Sequence, residues 1–205
     1  MPARNKVVSP VPRRFYERSP ETVARQLLGK LIVRDYQGEL LSGRIVEVEA
    51  YFGLDDPAAH AFAGRTERNA VLFGPPGFAY VYFIYGMYYC LNVSCEPEGE
   101  AGCVLIRALE PVAGLETMAK LRKLPPHAKP QLLTAGPGRL CQALAITRAA
   151  HNGLDVTCAD SLLRIEDDGH KPERISVTPR IGIRHAAERP ARFVMEGSKF
   201  LSRYL

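Results

Sequence analysis

Glu39-Leu-Leu-Ser-Gly-Arg-Ile-Val-Glu-Val-Glu-Ala-Tyr51 is the stretch on which the architecture turns. Side chains alternate faces along a strand. A strand over this stretch turns Val46, Val48 and Ala50 to one side and Ile45, Glu47, Glu49 and Tyr51 to the other. The first set forms a core face. The second carries two acids and an aromatic to the strand's end, where Gly53-Leu-Asp-Asp-Pro57 breaks the chain. An acid delivered to the end of a rigid element is well placed for chemistry, although a lone glutamate there is more often simply solvated.

Upstream, Lys30 to Tyr36 reads as a partner strand, joined through the Gln37-Gly38 turn. Ser19-Pro20-Glu21-Thr22 begins a helix, with Ser as the cap and Pro in the first turn, and Gly29 ends it. Downstream, Gly74-Pro75-Pro76-Gly77 is a breaker. Phe78 to Val93 is then extended, with a hairpin tip at Tyr85-Gly86-Met87. Cys103 to Leu109 is another strand, and Ala113 to Lys123 has helical spacing. Gly136-Pro137-Gly138-Arg139 introduces a short helix over Leu140 to Ala145. Leu162 to Ile165, Pro179 to Ile183 and Arg192 to Met195 are the strand candidates of the last third. The expected fold is α/β (mixed α+β): a mainly antiparallel curved sheet, flanked by helices, with a protruding β-hairpin. Residues 19–205 form the single domain. Residues 1–18, with Arg4, Lys6, Arg13, Arg14 and Arg18, form a basic N-terminal arm lying over the surface or partly disordered.

The 205 residues suffice for one hydrophobic core, and 46% hydrophobic with 24% charged residues is globular composition. No apolar run is long enough to cross a membrane, and the basic start leads into no apolar segment. Cytosol is therefore the expected compartment. Cys90, Cys95, Cys103, Cys141 and Cys158 form no CxxC pair, and His60, His127, His151, His170 and His185 are scattered. Reduced, mostly buried cysteines and no metal site follow. The net charge of +5 is compatible with a polyanionic partner without requiring one.

Three segments carry more information: Arg44–His60 (RIVEVEAYFGLDDPAAH), Tyr80–Ser94 (YVYFIYGMYYCLNVS) and Cys103–Pro111 (CVLIRALEP). Together they resemble the alkyladenine (3-methyladenine) DNA glycosylase family, with weaker similarity through AGPGRLCQALAI and PRIGIRHA. The resemblance implies a DNA repair enzyme that flips a damaged purine out of double-stranded DNA and hydrolyses its N-glycosidic bond. Residue by residue, it makes Glu49 the general base and Arg107 the arginine beside the attacking water and a nearby phosphate. Tyr51, His60 and Tyr82 become the walls that clamp the base, and Asn92 the pocket floor. Tyr85, with Met87 at the same tip, becomes the wedge that fills the gap in the duplex. Ile181 falls where a main-chain carbonyl helps ligate the water. No cofactor is implied, and a monomer is expected.

Physical chemistry suits these roles. A base must leave the stack before its glycosidic bond can be attacked, and flat aromatic faces grip it once extruded. Alkylated purines are electron-poor or cationic, so electron-rich rings favour them. Positive charge grows on the sugar during cleavage, and a carboxylate both offsets it and takes a proton from water. Arg65, Arg68 and Arg139 sit on loops that could meet phosphates, though each could equally be surface charge. Glu47 reads as a structural hydrogen-bond partner, and Tyr80, Tyr88 and Tyr89 as packing. A lesion-binding module would not need Glu49, and an enzyme of small metabolites would not need an exposed hairpin aromatic.

Overall fold

The computed structural model describes residues 8–125 and 127–203. Nine strands form one curled, wholly antiparallel sheet. They are β1 (Ser9–Pro10), β2 (Leu31–Tyr36), β3 (Glu39–Phe52), β4 (Ala79–Ile84), β5 (Tyr88–Cys95), β6 (Gly102–Ala113), β7 (Leu163–Asp167), β8 (Ile175–Thr178) and β9 (Arg192–Met195). The main order is β1-β7-β2-β3-β6-β5-β4, and β9 pairs with both β3 and β8. Among the described residues five α-helices accompany the sheet: α1 (Pro20–Leu27), α2 (Leu115–Leu121), α3 (Gln131–Thr134), α4 (Pro137–Ala143) and α5 (Arg148–His151). The expected mixed α/β domain with a curved antiparallel sheet is the fold observed.

The 14-residue β3 is the spine. One of its edges runs along β6; its other edge is taken by β2 over residues 39–44 and by β9 over residues 47–49. Its pairing with β6 slips between Ile45 and Glu47 and again between Glu47 and Val48. Such bulges bend a strand and re-aim its side chains, and here they break the strict alternation expected from sequence. Ile45 joins Val48 and Ala50 in the main core, whereas Val46 turns to a second cluster with Ala108, Val194 and Leu201. Strict period two therefore misplaces Ile45 and Val46, while Glu47 and Glu49 keep a common side with Arg107.

The main core lies under α1, which packs on β3, and α4, which packs on β5 and β6. Ser19 caps α1 by accepting the Thr22 N–H, and Gly29, at φ 90°, turns the chain out of it. The Leu140–Ala145 helix begins earlier than expected, at Pro137, the favoured first-turn position for proline. The basic stretch before α1 is tied down over its described part. Tyr16 is fully buried, β1 pairs with β7, and Arg13 donates to Asp155 and to the Pro76 carbonyl. Arg4 and Lys6 lie outside the described residues.

Pro179 to Ile183 is not a strand, contrary to the sequence expectation; the strand there is β8, ending at Thr178. Gly182 takes φ 77°, and the Ile181 N–H is directed to the Glu49 carboxylate instead of to a neighbouring strand.

Candidate active site

The end of β3, the β4–β5 hairpin, β6, Gly136 with the first turn of α4, and the 181–183 loop surround a cavity of about 570 Å³. That volume is in the range of small-molecule sites, roughly 300–1,000 Å³. Tyr51, His60, Tyr82, Asn92, Arg107 and Ile181 all line it, and Arg68, Tyr85 and Arg139 reach its mouth. Met87 is exposed at the hairpin tip, beside the opening, and Arg65 is exposed on the loop that carries Arg68 without lining the cavity.

Glu49 lies directly behind this wall, with no exposed surface. Its Oε1 accepts the Ile181 N–H at 2.7 Å and pairs with Arg107 Nη1 at 3.1 Å, and its Oε2 accepts the Tyr51 hydroxyl at 2.9 Å. Burial raises the Tyr51 pKa, with the Glu49 charge adding to it, so the phenol stays protonated and donates. Burial alone would lower the Arg107 pKa, but the carboxylates of Glu49 and Glu47 outweigh it and the net shift is upward.

Glu47, also fully buried, serves differently. Its Oε1 takes Arg107 Nε at 2.9 Å, Arg192 Nε at 2.8 Å and the Ser202 hydroxyl at 2.7 Å, while its Oε2 takes the Ser202 N–H at 2.6 Å. Glu47 thus welds the chain's C-terminal segment and β9 to the back of Arg107.

The aromatic wall is braced from outside. His60 and Tyr82 meet edge to face with centroids 4.4 Å apart, and His60 Nδ1 lies 3.0 Å from the Tyr80 hydroxyl. Partial burial, with the nearby Arg68 charge, lowers the His60 pKa, so its ring is neutral at pH 7. Burial pushes Tyr80 up to about 12 and Tyr82 further still. Asn92, only 3% exposed, donates from Nδ2 to the Tyr80 carbonyl at 3.2 Å, and its Oδ1 faces the Cys103 thiol. The Arg68 guanidinium lies over the Tyr82 ring, 5.8 Å from its centroid.

The hairpin tip contrasts with this. Tyr85 is 76% exposed and holds φ 53°, followed by Gly86 at φ 68°. A left-handed conformation costs a non-glycine residue about 1–2 kcal/mol. The hairpin spends that energy to hold a large ring in solvent.

Several residues of the site were not singled out by sequence reasoning. Tyr80 does pack in the core, but its hydroxyl also fixes His60. Asn69 pins the basic loop by donating to the carbonyls of His60 and Gly64. Arg180 and Asp56 form a fully buried ion pair behind Tyr51, and Arg192 and Ser202 hold Glu47. Their partners are distant in sequence, so no local pattern announces them. Among the described residues there is no His/Cys/Asp/Glu cluster able to hold a metal, and Cys158 is the exposed cysteine. No helix of the described residues is long and apolar enough to cross a membrane.

Comparison with known proteins places this geometry in context. Residues 14–199 match the family model described as methylpurine-DNA glycosylase. A protein of Koribacter versatilis, provisionally named 3-methyladenine DNA glycosylase, is 55% identical over 97% of this chain and 96% of its own length. Proteins with the same provisional name from Alkaliphilus oremlandii and Methanocella arvoryzae are 48% and 49% identical, over 93% and 94% of this chain and 98% and 96% of theirs.

Proposed function

The chain belongs to the methylpurine-DNA glycosylase family, and from that premise we propose that it flips damaged purines out of double-stranded DNA and hydrolyses them from the sugar with a water activated by Glu49. The substrates are the alkylated and deaminated purine class: 3-methyladenine, 7-methylguanine, hypoxanthine and ethenoadenine. The observation that carries the reading is the state of the Glu49 carboxylate. A carboxylate offers about four lone-pair positions; on Glu49, Oε1 accepts the Ile181 N–H with the Arg107 guanidinium in ion contact beside it, and Oε2 accepts the Tyr51 hydroxyl. A position on Oε2 is left without a hydrogen bond, and in this proposal it takes the proton of a water held just inside the wall of a base-sized aromatic cavity, behind which Glu49 is buried.

In this scheme the extruded base stacks among Tyr51, His60 and Tyr82, and the neutral His60 adds no repulsion to a cationic lesion. Asn92 at the floor meets the purine edge and crowds the exocyclic amino group of guanine, which disfavours normal guanine while a 7-methylguanine, with the same group, is still taken through the added attraction of its cationic ring. Tyr85, with Met87, enters the vacated step from the minor groove, while Arg65, Arg68 and Arg139 face phosphates. Arg107 orients the water together with the Ile181 carbonyl, whose own N–H already holds Glu49. Carboxylate charge beside the sugar offsets the developing oxocarbenium ion. Among the described residues no lysine lines the cavity, which favours attack by water over attack by an amine; the DNA strand is then left uncut at an abasic site. One chain supplies every group, so the monomer is the working unit.

The test is incubation with alkylated and hypoxanthine-containing duplex DNA, followed by chromatography of released bases. Free damaged base, with strand breaks only after alkali, is expected. Lesion binding without release would make the protein a recognition module, and release from nucleosides but not duplex DNA would make it a metabolic hydrolase.

A further inference from the structure

Arg180 adjoins the two neutral donors that hold Glu49, the Tyr51 hydroxyl and the Ile181 amide, without a hydrogen bond to Glu49 of its own. Its Nη1 and Nη2 donate to the two carboxylate oxygens of Asp56 at 2.5 and 2.9 Å, and both side chains are fully buried. Nη1 also donates to the Ala50 carbonyl at 3.0 Å, gripping the strand between Glu49 and Tyr51. The guanidinium lies on the Tyr51 ring, 4.6 Å from its centroid. The next residue is Ile181, whose N–H is on Glu49. Asp56 in turn accepts the N–H groups of Phe52 and Ala58, at 3.2 and 3.1 Å. One ion pair therefore joins the end of β3, the turn that follows it and the 180–186 loop.

We infer that Arg180, locked by Asp56, is a positioning residue that sets both neutral hydrogen-bond donors on Glu49, the Tyr51 hydroxyl and the Ile181 amide, and so fixes which lone pair of the carboxylate faces water. The inference rests on the glycosylase reading and adds residues that touch neither base nor water. A salt link of the same strength built only for stability could lie anywhere in the core. This one contacts the Tyr51 ring, the Ala50 carbonyl and the chain adjoining Ile181 at once. Its planar fork is needed as well: a lysine can keep the charge but cannot bond both Asp56 oxygens and the Ala50 carbonyl in one plane.

The test compares Arg180→Lys and Arg180→Met with the parent. Active sites are counted by titration with duplex DNA holding an abasic-site analogue, and single-turnover base release is measured on hypoxanthine-containing duplex. Both variants should bind the analogue within about threefold of the parent. The release rate constant per active site should fall about tenfold for Arg180→Lys and further for Arg180→Met. A purely structural pair would lower the count of active sites and leave that rate constant unchanged, which overturns the inference. Should Arg180→Met fail to fold, Arg180→Lys, which retains the buried charge, reads the same quantity. A second arm repeats Arg180→Lys on a Tyr51→Phe background, which lacks one of the two donors. The fold-loss should shrink there, and independent, multiplicative losses would remove Tyr51 from the inference. A parent protein that releases no base at all overturns the functional reading, and this inference with it; release by the parent with unaltered Arg180 variants overturns the inference alone.

Discussion

The tip of the β4–β5 hairpin and the acid pair on β3 are opposite ways of placing a candidate functional side chain. Tyr85 and Met87 stand in solvent, at 76% and 61% exposure, on a left-handed turn. Glu47 and Glu49 are wholly buried, and seven hydrogen bonds and ion contacts, described above, converge on them. A tip residue can change with little consequence for folding, so its loss reports on capture of DNA. A buried acid is part of the fold, so its loss mixes chemistry with stability unless the two carboxylates are separated. Glu49→Gln separates them. The amide keeps the size of Glu49 and an oxygen to accept hydrogen bonds, but takes no proton from water. Base release under single turnover should fall by about 10²–10⁴, the usual worth of a general base, with affinity for lesion DNA nearly unchanged. Near-parental release would remove Glu49 from the mechanism.

Glu47→Gln sharpens the same comparison from the other side. Glu47 is the shared counterion of Arg107 and Arg192, both nearly buried. Removing one partner of a buried ion pair costs about 3–5 kcal/mol because the remaining charge is uncompensated. Urea unfolding should show a loss of that order, whereas base release per folded molecule falls far less than for Glu49→Gln. Equal catalytic losses at the two positions would mean that the pair acts as a unit and that neither acid alone is the base.

That division of labour was only half legible in the sequence. Local patterns sufficed for β3, for the hairpin with its Tyr85-Gly86 turn and for β9, because alternation and turn chemistry are set by neighbours along the chain. They also sufficed to suspect Glu47 of a structural part, though not to name Arg192 and Ser202, which reach it from the far end of the chain. Ile45 and Val46 were assigned to the wrong faces because a bulge is decided by the partner strand, here by Arg107 and Ala108 on β6. Ile181-Gly-Ile183 has the composition of a strand, yet its backbone is spent on Glu49, a partner far away in sequence. The Asp56–Arg180 pair hid for the same reason: Asp56 reads as a turn residue and Arg180 as part of a strand candidate until the fold closes.

At the exposed end of the comparison, Tyr85→Ser removes the ring while the turn remains. Thermal stability should stay within a degree or two, since no core contact is lost and a smaller residue occupies the same left-handed position. Stacking by one aromatic is worth about 1–3 kcal/mol, so affinity for an abasic-site duplex should weaken by roughly tenfold or more. Unchanged affinity, measured by fluorescence anisotropy, would mean that the tip does not enter the duplex.

The smallest effect concerns the charges around the cavity mouth. Arg107 is matched by two carboxylates and buried at 7% exposure, so it releases few counterions on binding DNA. Arg68 and Arg139 at the mouth, and Arg65 on the same loop as Arg68, are exposed and have no acidic side chain in ion contact among the described residues. Each phosphate neutralised adds about 0.9 to the slope of log affinity against log salt. Replacing Arg65, Arg68 or Arg139 singly by Ala should therefore flatten that slope by about 0.9 while leaving base release at saturating enzyme close to the parent's. Arg68 differs from the other two in one respect. Its guanidinium lies over the Tyr82 ring, and its charge is one cause of the lowered His60 pKa. Without it the His60 pKa rises toward the ordinary imidazole value, so the fraction of protonated ring at slightly acid pH increases. A cationic imidazole repels a cationic base. Arg68→Ala should then lose release of 7-methylguanine relative to hypoxanthine below about pH 6.5, an effect absent from Arg139→Ala. A salt slope unmoved by all three changes would place the DNA on another face of the molecule, and a lesion ratio independent of pH in Arg68→Ala would free His60 from any electrostatic part in choosing the base.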